Sequence, residues 1–501
     1  MKLRSEVLIK IPKGVIETPI ANDEADLWAE EYTQTDIIEY PGAKWRKHKL
    51  CRPSCIPISI LCVMIFLVVL LPVLDQATEK ALQEINKKIS SQCTNPCELK
   101  LIESIPEGLV YNGSSTDNPS TFDTWLKLIN LAHGKIEIAS FYWTLRHSEV
   151  YPDPSSNKGE TIFQALLKAG TDKGISIRIA QNAPTQKNPN IDTEYLVKRK
   201  AADVVSLNFA KLLGSGVLHT KFWIVDRMHI YIGSANMDWR ALTQVKELGI
   251  AVYNCSCLAN DLGKIFDAYW YLGKTQKIPE EWSPALSTPF NIQNPMNITF
   301  NNDSFNTFLT SSPQPFNPQG RTNDIDALLY VINNAEKFVY IAVMDYFPLT
   351  IYTPKLKFWP VIDDAIKTAA IDHKIKIKML ISWWNHSRTS EDSFLRSLTS
   401  LENSYPQVSI EVRRFIVPAN KTQQKIPYAR VNHNKYMVTD NMAFIGTSNW
   451  SGDYFIDTAG VSFVLHDPLF ERNSSHSTIR SQLQDVFERD WNSSYAHSFY
   501  T

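Results

Sequence analysis

Leu218–Arg240 (LHTKFWIVDRMHIYIGSANMDWR) and Asn432–Phe455 (NHNKYMVTDNMAFIGTSNWSGDYF) carry one pattern twice. Each holds His-x-Lys-x4-Asp, then a Gly-Ser/Thr step and an Asn. The first copy supplies His219, Lys221, Asp226, Gly233, Ser234 and Asn236. The second supplies His433, Lys435, Asp440, Gly446, Ser448 and Asn449. The histidines stand 214 positions apart. One such motif is a weak signal, but two in register with a longer repeat are a strong one.

The longer repeat is visible upstream. Lys135–Leu145 (KIEIASFYWTL) and Lys337–Leu349 (KFVYIAVMDYFPL) are β-rich runs of the buried type. Each follows an amphipathic helical pattern, 122–133 and 324–336. Each precedes a second helix and strand: 161–169 with 175–180, and 358–370 with 375–381. Alternating strand and helix predicts parallel βα units and an α/β fold, with two sandwich repeats face to face around one active site. The predicted organisation is a cytosolic tail (1–50), a transmembrane segment (51–75), a stalk (76–100), repeat 1 (101–275), a linker rich in Pro, Asn, Ser and Thr (276–320) and repeat 2 (321–501).

The transmembrane reading rests on Cys55–Leu74 (CIPISILCVMIFLVVLLPVL), which has no charged residue. Twenty residues at about 1.5 Å rise span a hydrocarbon core of roughly 30 Å. Lys44, Arg46, Lys47, Lys49 and Arg52 crowd one flank, whereas Asp75 and Glu79 open the other. The positive-inside rule then keeps the N-terminus cytosolic, as in a type II signal anchor. All nine Asn-x-Ser/Thr sequons follow the anchor. Asn449 lies in the second motif; Asn112, Asn254, Asn297, Asn302, Asn385, Asn420, Asn473 and Asn492 are the candidate glycosylation sites. Beyond the anchor, Cys93 and Cys97 form one close pair, Cys255 and Cys257 another. In an oxidising lumen they predict two disulfides crossing between the pairs. A zinc site (Cys-x3-Cys with Cys-x-Cys) is the rival reading. A net charge of −1 over 501 residues excludes a global basic field, so an anionic substrate must be held locally.

The motif supplies such local charge. His and Lys two apart on a strand point to one face and can address one phosphate. Lys221 and Lys435 offer compact cations. Asn236, Asn449, Ser234 and Ser448 are the candidate substrate-binding residues, and the glycines would let the backbone turn beside the ligand. Asp226 and Asp440 would orient imidazoles or anchor the site. Two histidines permit a two-step displacement: one attacks phosphorus, the other protonates the leaving alkoxide and then activates water. No metal or other cofactor is required, because cationic side chains take that part.

These residues resemble the phospholipase D superfamily over roughly 90–500. VLHTKFWIVD, GSANMDWRALTQVKELG, YNCSCLA, IPYARVNHNKYMVTD and GTSNWSGDYF are most similar to its animal transmembrane members, family members three and four. The resemblance implies a lysosomal type II glycoprotein with its catalytic part in the lumen, acting as a 5'-3' exonuclease on single-stranded DNA and RNA. It also implies that His219 is the nucleophile and His433 the general acid. By the same resemblance the disulfides are Cys93–Cys257 and Cys97–Cys255, and a homodimer is expected. The pattern departs from the family at Asp440, where relatives usually have Glu; a carboxylate is kept, so activity should survive. Phe141, Tyr142 and Trp143 offer base-stacking surfaces, with core packing as the competing reading. A phospholipid phosphodiesterase or transphosphatidylase is the alternative function, since one phosphohistidine serves water or an alcohol alike. The residues leave open whether the stalk is cut to release a soluble form.

Overall fold

Two mixed sheets with one strand order, repeated, form the frame. The computed structural model describes residues 97–111, 116–146, 150–301, 303–353, 355–468 and 477–499. The predicted tail and anchor, most of the stalk, Cys93 and the sequons at Asn112, Asn302 and Asn473 lie outside them. Among the described residues no helix is long and apolar enough to cross a membrane.

The first sheet is built from β1 (Glu98–Ser104), β2 (Lys135–Ser140), β3 (Ser176–Asn182), β4 (Asp203–Leu207), β5 (Phe222–Val225), β6 (His229–Gly233) and β7 (Glu247–Tyr253). Its order is β1-β7-β6-β5-β2-β3-β4. The second contains β8 (Met296–Phe300), β9 (Asp303–Ser312), β10 (Phe338–Val343), β11 (Lys376–Ser382), β12 (Ile410–Phe415), β13 (Lys435–Thr439), β14 (Met442–Gly446), β15 (Gly460–His466) and β16 (Ala496–Ser498). Its order is β8-β9-β15-β14-β13-β10-β11-β12-β16, so the seven strands from β9 to β12 repeat the first sheet.

Alternation along each strand divides three cores. In β5, Phe222 and Ile224 face a central core shared with Tyr436 and Val438 of β13. Trp223 and Val225 face the other way, under α1 (Thr121–Leu131) and α2 (Asn157–Thr171). Met437 likewise turns from the centre toward α5 (Asp324–Asn333) and α6 (Val361–Ile371). The long helices α4 (Ser256–Thr275) and α8 (Ile479–Trp491) add Leu262, Phe266, Leu483 and Phe487 to the central core. The sheets thus pack face to face, with α4 and α8 in the central core and α1, α2, α5 and α6 on the outer faces. Burial on both faces explains why these strands are continuous apolar runs. Each buried large apolar side chain contributes about 1.5–3 kcal/mol.

Three expectations need correction. Only β2-β3-β4 and β10-β11-β12 are parallel; the remaining pairings among the repeated strands are antiparallel. The predicted linker 276–320 holds β8 and β9, which belong to the second sheet. There Met296, Ile298 and Phe300 alternate with exposed Asn297 and Thr299, a strand period hidden by the polar composition. The end of the predicted stalk runs into β1. α3 (Ile191–Lys198) and α7 (Glu391–Thr399) lie in segments for which no helix was expected.

A buried ionic cluster ties the two ends of the described chain to the centre. Lys246, just before β7, meets Asp490 at 2.8 Å and Glu103 at 3.4 Å. Arg489 pairs with Glu103 at 2.6 Å and Asp490 at 2.9 Å, and the Tyr111 hydroxyl donates to Asp490 at 2.6 Å. Burial opposes ionisation of Glu103, but Arg489 and Lys246 outweigh it and hold its carboxyl down at about 2. A carboxyl depressed on folding stabilises above its unfolded range and loses that contribution as pH falls from about 4.5 through about 2. The cluster is therefore intact in a mildly acidic compartment. Asp490→Ala should leave Lys246 buried with reduced compensation and cost about 3–5 kcal/mol, read as a lowered Tm.

Candidate active site

The two motifs meet where each half pairs its backbone with the other. The His219 N–H donates to the Ala459 carbonyl at 3.0 Å, and the Ala459 N–H returns to Val217 at 2.9 Å. The counterpart is reciprocal: His433 N–H to Lys246 O at 2.8 Å, and Lys246 N–H to Val431 O at 2.9 Å. His219 and Lys221 directly precede β5, and His433 and Lys435 stand at the start of β13. Both histidines are buried but reachable, at 5% and 9% exposure.

Each imidazole is oriented from the opposite half, and the partners differ. His433 Nδ1 lies 2.8 and 3.0 Å from the two carboxylate oxygens of Glu247. His219 Nδ1 lies 3.0 Å from the Thr447 carbonyl oxygen, to which it donates. In both cases Nε2 is left for chemistry. Burial, then the charges of Lys221, Lys435 and His433, push His219 well below the usual imidazole range. Burial also lowers His433, but Glu247 opposes it. The site therefore holds one imidazole neutral and the other beside a carboxylate able to stabilise its imidazolium form. Phe141 and Tyr454 flank His219 with ring centroids 5.2 and 5.0 Å away.

Two ammonium groups lie between the halves. Lys221 donates to the His219 carbonyl, and Lys435 to the His433 carbonyl at 2.6 Å. Neither forms an ion pair among the described residues. Burial and the neighbouring Lys435 charge hold Lys221 well below its ordinary range. Burial lowers Lys435 to about 7, against the opposing fields of Glu247 and Asp345. Two desolvated cations without paired anions are suited to an anionic ligand. Asn449 donates to the Tyr454 hydroxyl at 3.1 Å and makes a longer contact, 3.4 Å, with Asp345. Asn236 and Asn449 are both buried here, in the loops after β6 and β14.

Other predicted site residues have different work. Asp226 accepts from the backbone N–H groups of His133, Gly134 and Lys135 at 2.7, 2.9 and 2.6 Å. Asp440 accepts from Glu336, Lys337 and Phe338 at 3.1, 2.9 and 3.3 Å. Neither orients an imidazole. Each lies at the far end of its strand, about 16 Å from the motif's lysine at roughly 3.3 Å per residue, and each anchors the start of the central strand beside it. The Ser234 hydroxyl is spent within the fold, bonded to Leu248 N and O at 3.0 and 3.1 Å. Its structural counterpart is Thr447, which accepts from Val461 N at 3.0 Å, and not Ser448. Gly233 does not face a ligand: a Cβ there would lie 2.7 Å from the Gly249 Cα, so it allows β6 and β7 to approach. Trp143 is fully buried, which leaves Phe141 and Tyr142 partly exposed near the site.

Cys97 and Cys255 form a disulfide. Cys257 is also disulfide-bonded, which removes the zinc alternative for this cluster. Asn254, Asn297, Asn385, Asn420 and Asn492 are exposed, whereas Asn449 is 3% exposed.

Sequence reasoning missed Glu247, Thr447, Asp345 and Tyr454. Glu247 did leave a signal: it is the one acidic residue in the otherwise apolar, fully buried β7 (ELGIAVY). Thr447 acts through its backbone carbonyl, which no side-chain pattern can reveal.

A family model described as PLD3/4, PLD-like domain matches residues 113–420. The 5'-3' exonuclease PLD3 of Xenopus laevis is 46% identical over 467 residues, covering 92% of this chain and 93% of that protein. The human 5'-3' exonuclease PLD3 is 47% identical, covering 82% of each. A phosphatidylserine synthase from Haemophilus influenzae Rd KW20 shares the fold with a TM-score of 0.50 at 13% identity, covering 82% of this chain and 91% of that one.

Two substitutions separate the roles assigned here. Glu247→Gln keeps a hydrogen-bond partner for His433 but removes the charge, and should lower kcat about 100- to 10,000-fold without loss of folding. Asp226→Asn should destabilise by about 1–2 kcal/mol and change kcat less than about threefold. A matched pair of melting curves and steady-state assays checks both.

Proposed function

Since the chain belongs to the PLD3/4 group of phospholipase D-like proteins, we propose that it is a 5'-3' exonuclease that hydrolyses single-stranded DNA and RNA through a phosphohistidine. The observation that carries the mechanism is the unequal pair of histidines in one site. His219, neutral and braced by a carbonyl, is the nucleophile; His433, backed by Glu247, is the proton carrier.

In the first step His219 Nε2 forms a bond to phosphorus, the bond to the leaving alkoxide breaks, and His433 gives that alkoxide its proton. In the second, His433 takes a proton from water, the oxygen attacks phosphorus, and the P–N bond breaks. Lys221, Lys435, Asn236 and Asn449 stabilise the charge on the equatorial oxygens. A histidine kept neutral by burial remains a nucleophile in acid, which suits a lysosomal enzyme. The apolar segment at 51–75, its basic cytosolic flank and the sequons beyond it support a type II membrane protein with its catalytic part in the lumen. Single-stranded nucleic acid is the substrate partner, and a homodimer is the expected assembly.

A second reading, a phospholipid phosphodiesterase, has one specific support: a Caenorhabditis elegans relative named Probable phospholipase D F09G2.8 is 41% identical over 90% of this chain. The purified protein should release mononucleotides stepwise from the 5' end of single-stranded oligonucleotides at pH about 5. Phosphatidic acid from phosphatidylcholine vesicles, with oligonucleotides left intact, would reverse the ranking.

His219→Ala should lower kcat by at least about 10,000-fold. His433→Ala, given a phosphodiester with an aryl leaving group that needs no proton, should accumulate on His219 a phosphoryl group that still carries its second ester, because the second step still lacks its base. An acid-labile adduct of that mass on His219, detected by mass spectrometry, checks the assignment; no such adduct on any histidine would refute it.

A further inference from the structure

We propose that Asp345 is a positioning residue of the phosphate site: ionised, it holds the Asn449 amide and opposes an incoming phosphodiester; protonated, it releases both. The proposal rests on the reading that this site binds a phosphodiester.

The pseudo-symmetry locates the anomaly. Ala139 of β2 pairs with Phe222, and Ala342 of β10 pairs with Tyr436, so the strands share a register against the motif strands. Two positions past its strand end, the first half has Tyr142 and the second Asp345. Tyr142 is neutral and donates to Asp238 at 2.9 Å, and Asp238 is itself paired with Arg240 at 2.6 Å. The second half puts a carboxylate in that place, in a site that must accept an anion.

Asp345 forms no ion pair among the described residues. The guanidinium groups around it are engaged elsewhere: Arg414 binds Glu391 and Asp392, and Arg388 lies 5.2 Å over the Tyr352 ring. Its hydrogen-bond contact is with Asn449 Nδ2, a donor the phosphate needs. The groups facing it are Lys435 from β13, Arg414 from β12, Glu391 from α7, Arg388 from the segment before α7, Tyr352 from the 349–358 hairpin and Tyr454 from the 453–456 turn of helix. Burial raises the Asp345 carboxyl above its ordinary range, with Lys435, Arg388 and Arg414 opposing. It therefore keeps its proton to higher pH than an ordinary aspartate and loses it as pH rises. Like charges in a desolvated site repel, so phosphodiester binding and protonation of Asp345 favour each other.

A purely supporting role predicts the opposite sign. The Asp345 charge helps keep Lys435 protonated. If that were its whole contribution, removing it would make activity fail at lower pH. A proton-controlled role predicts that removing it extends activity to higher pH.

The experiment measures kcat and KM of the whole protein against pH, with a single-stranded oligonucleotide and, in parallel, bis(4-nitrophenyl) phosphate. For Asp345→Asn, and for Asp345→Ser should Asn not fold, the rate at pH about 7 relative to pH about 5 should rise by about tenfold, one pH unit's worth. The gain should lie in KM, and Asp345→Glu should restore the wild-type profile. An unmoved profile, a shift toward acid, or loss of activity at every pH in folded protein would overturn the proposal. Turnover of the aryl ester without oligonucleotide cleavage by wild type would sink the exonuclease reading and still test Asp345.

Discussion

Neither half of this chain contains an active site; the backbone pairing between halves makes one. His219 is fixed by hydrogen bonds to the segment around Ala459, and His433 by bonds to the segment around Lys246. Each of those segments leads into the strand, β15 or β7, that packs the central core. A displacement of one sheet over the other would therefore separate both imidazoles from their partners together. The central core must be rigid because it sets a catalytic distance, and protein interiors packed to crystal-like density resist such sliding.

The frame is nearly symmetric and the chemistry is not. Gly233 pairs with Gly249 in one half, and Gly446 with Ser462 in the other, which places Glu247 and Gly460 in equivalent positions. A Cβ at 460 would stand 2.1 Å from the Ser448 hydroxyl and 3.0 Å from that of Ser312. The second half therefore has no room for a counterpart to Glu247, and His219 takes a carbonyl instead. Close packing at one glycine thus selects which histidine lacks a carboxylate. A two-step displacement needs that difference, since a nucleophile must be unprotonated while its partner carries a proton.

The sequence made the repeat, its motifs and the two-layer architecture legible, because these depend on side-chain period and on residue types at fixed spacing. It misled where backbone does the work or composition hides period. Asp226 and Asp440 look catalytic by spacing, yet a strand's length separates them from the histidines, and they cap backbone N–H groups. Segment 276–320 looks like a linker because Asn297 and Thr299 fill the exposed face of β8, and because β9 buries Thr307, Thr310, Ser311 and Ser312 where apolar residues would be expected. Asp345 sits inside an apolar run whose β character masks it; only the fold shows that the chain leaves the strand at Val343 and turns this carboxylate toward Asn449.

Burying three charged groups, Lys221, Lys435 and Glu247, and half-burying a fourth, Asp345, beside two histidines would be unfavourable if the site served stability alone. In the cluster of Glu103, Lys246, Arg489 and Asp490, by contrast, buried cations and carboxylates pair directly with one another. In the site they do not: the lysines contact carbonyl oxygens, and the carboxylates contact an imidazole and an amide. The contrast separates structural from functional charge within one molecule. Lys246 and Glu247 are chain neighbours on opposite sides of that division, so the ionic cluster that secures the first also holds the second against His433.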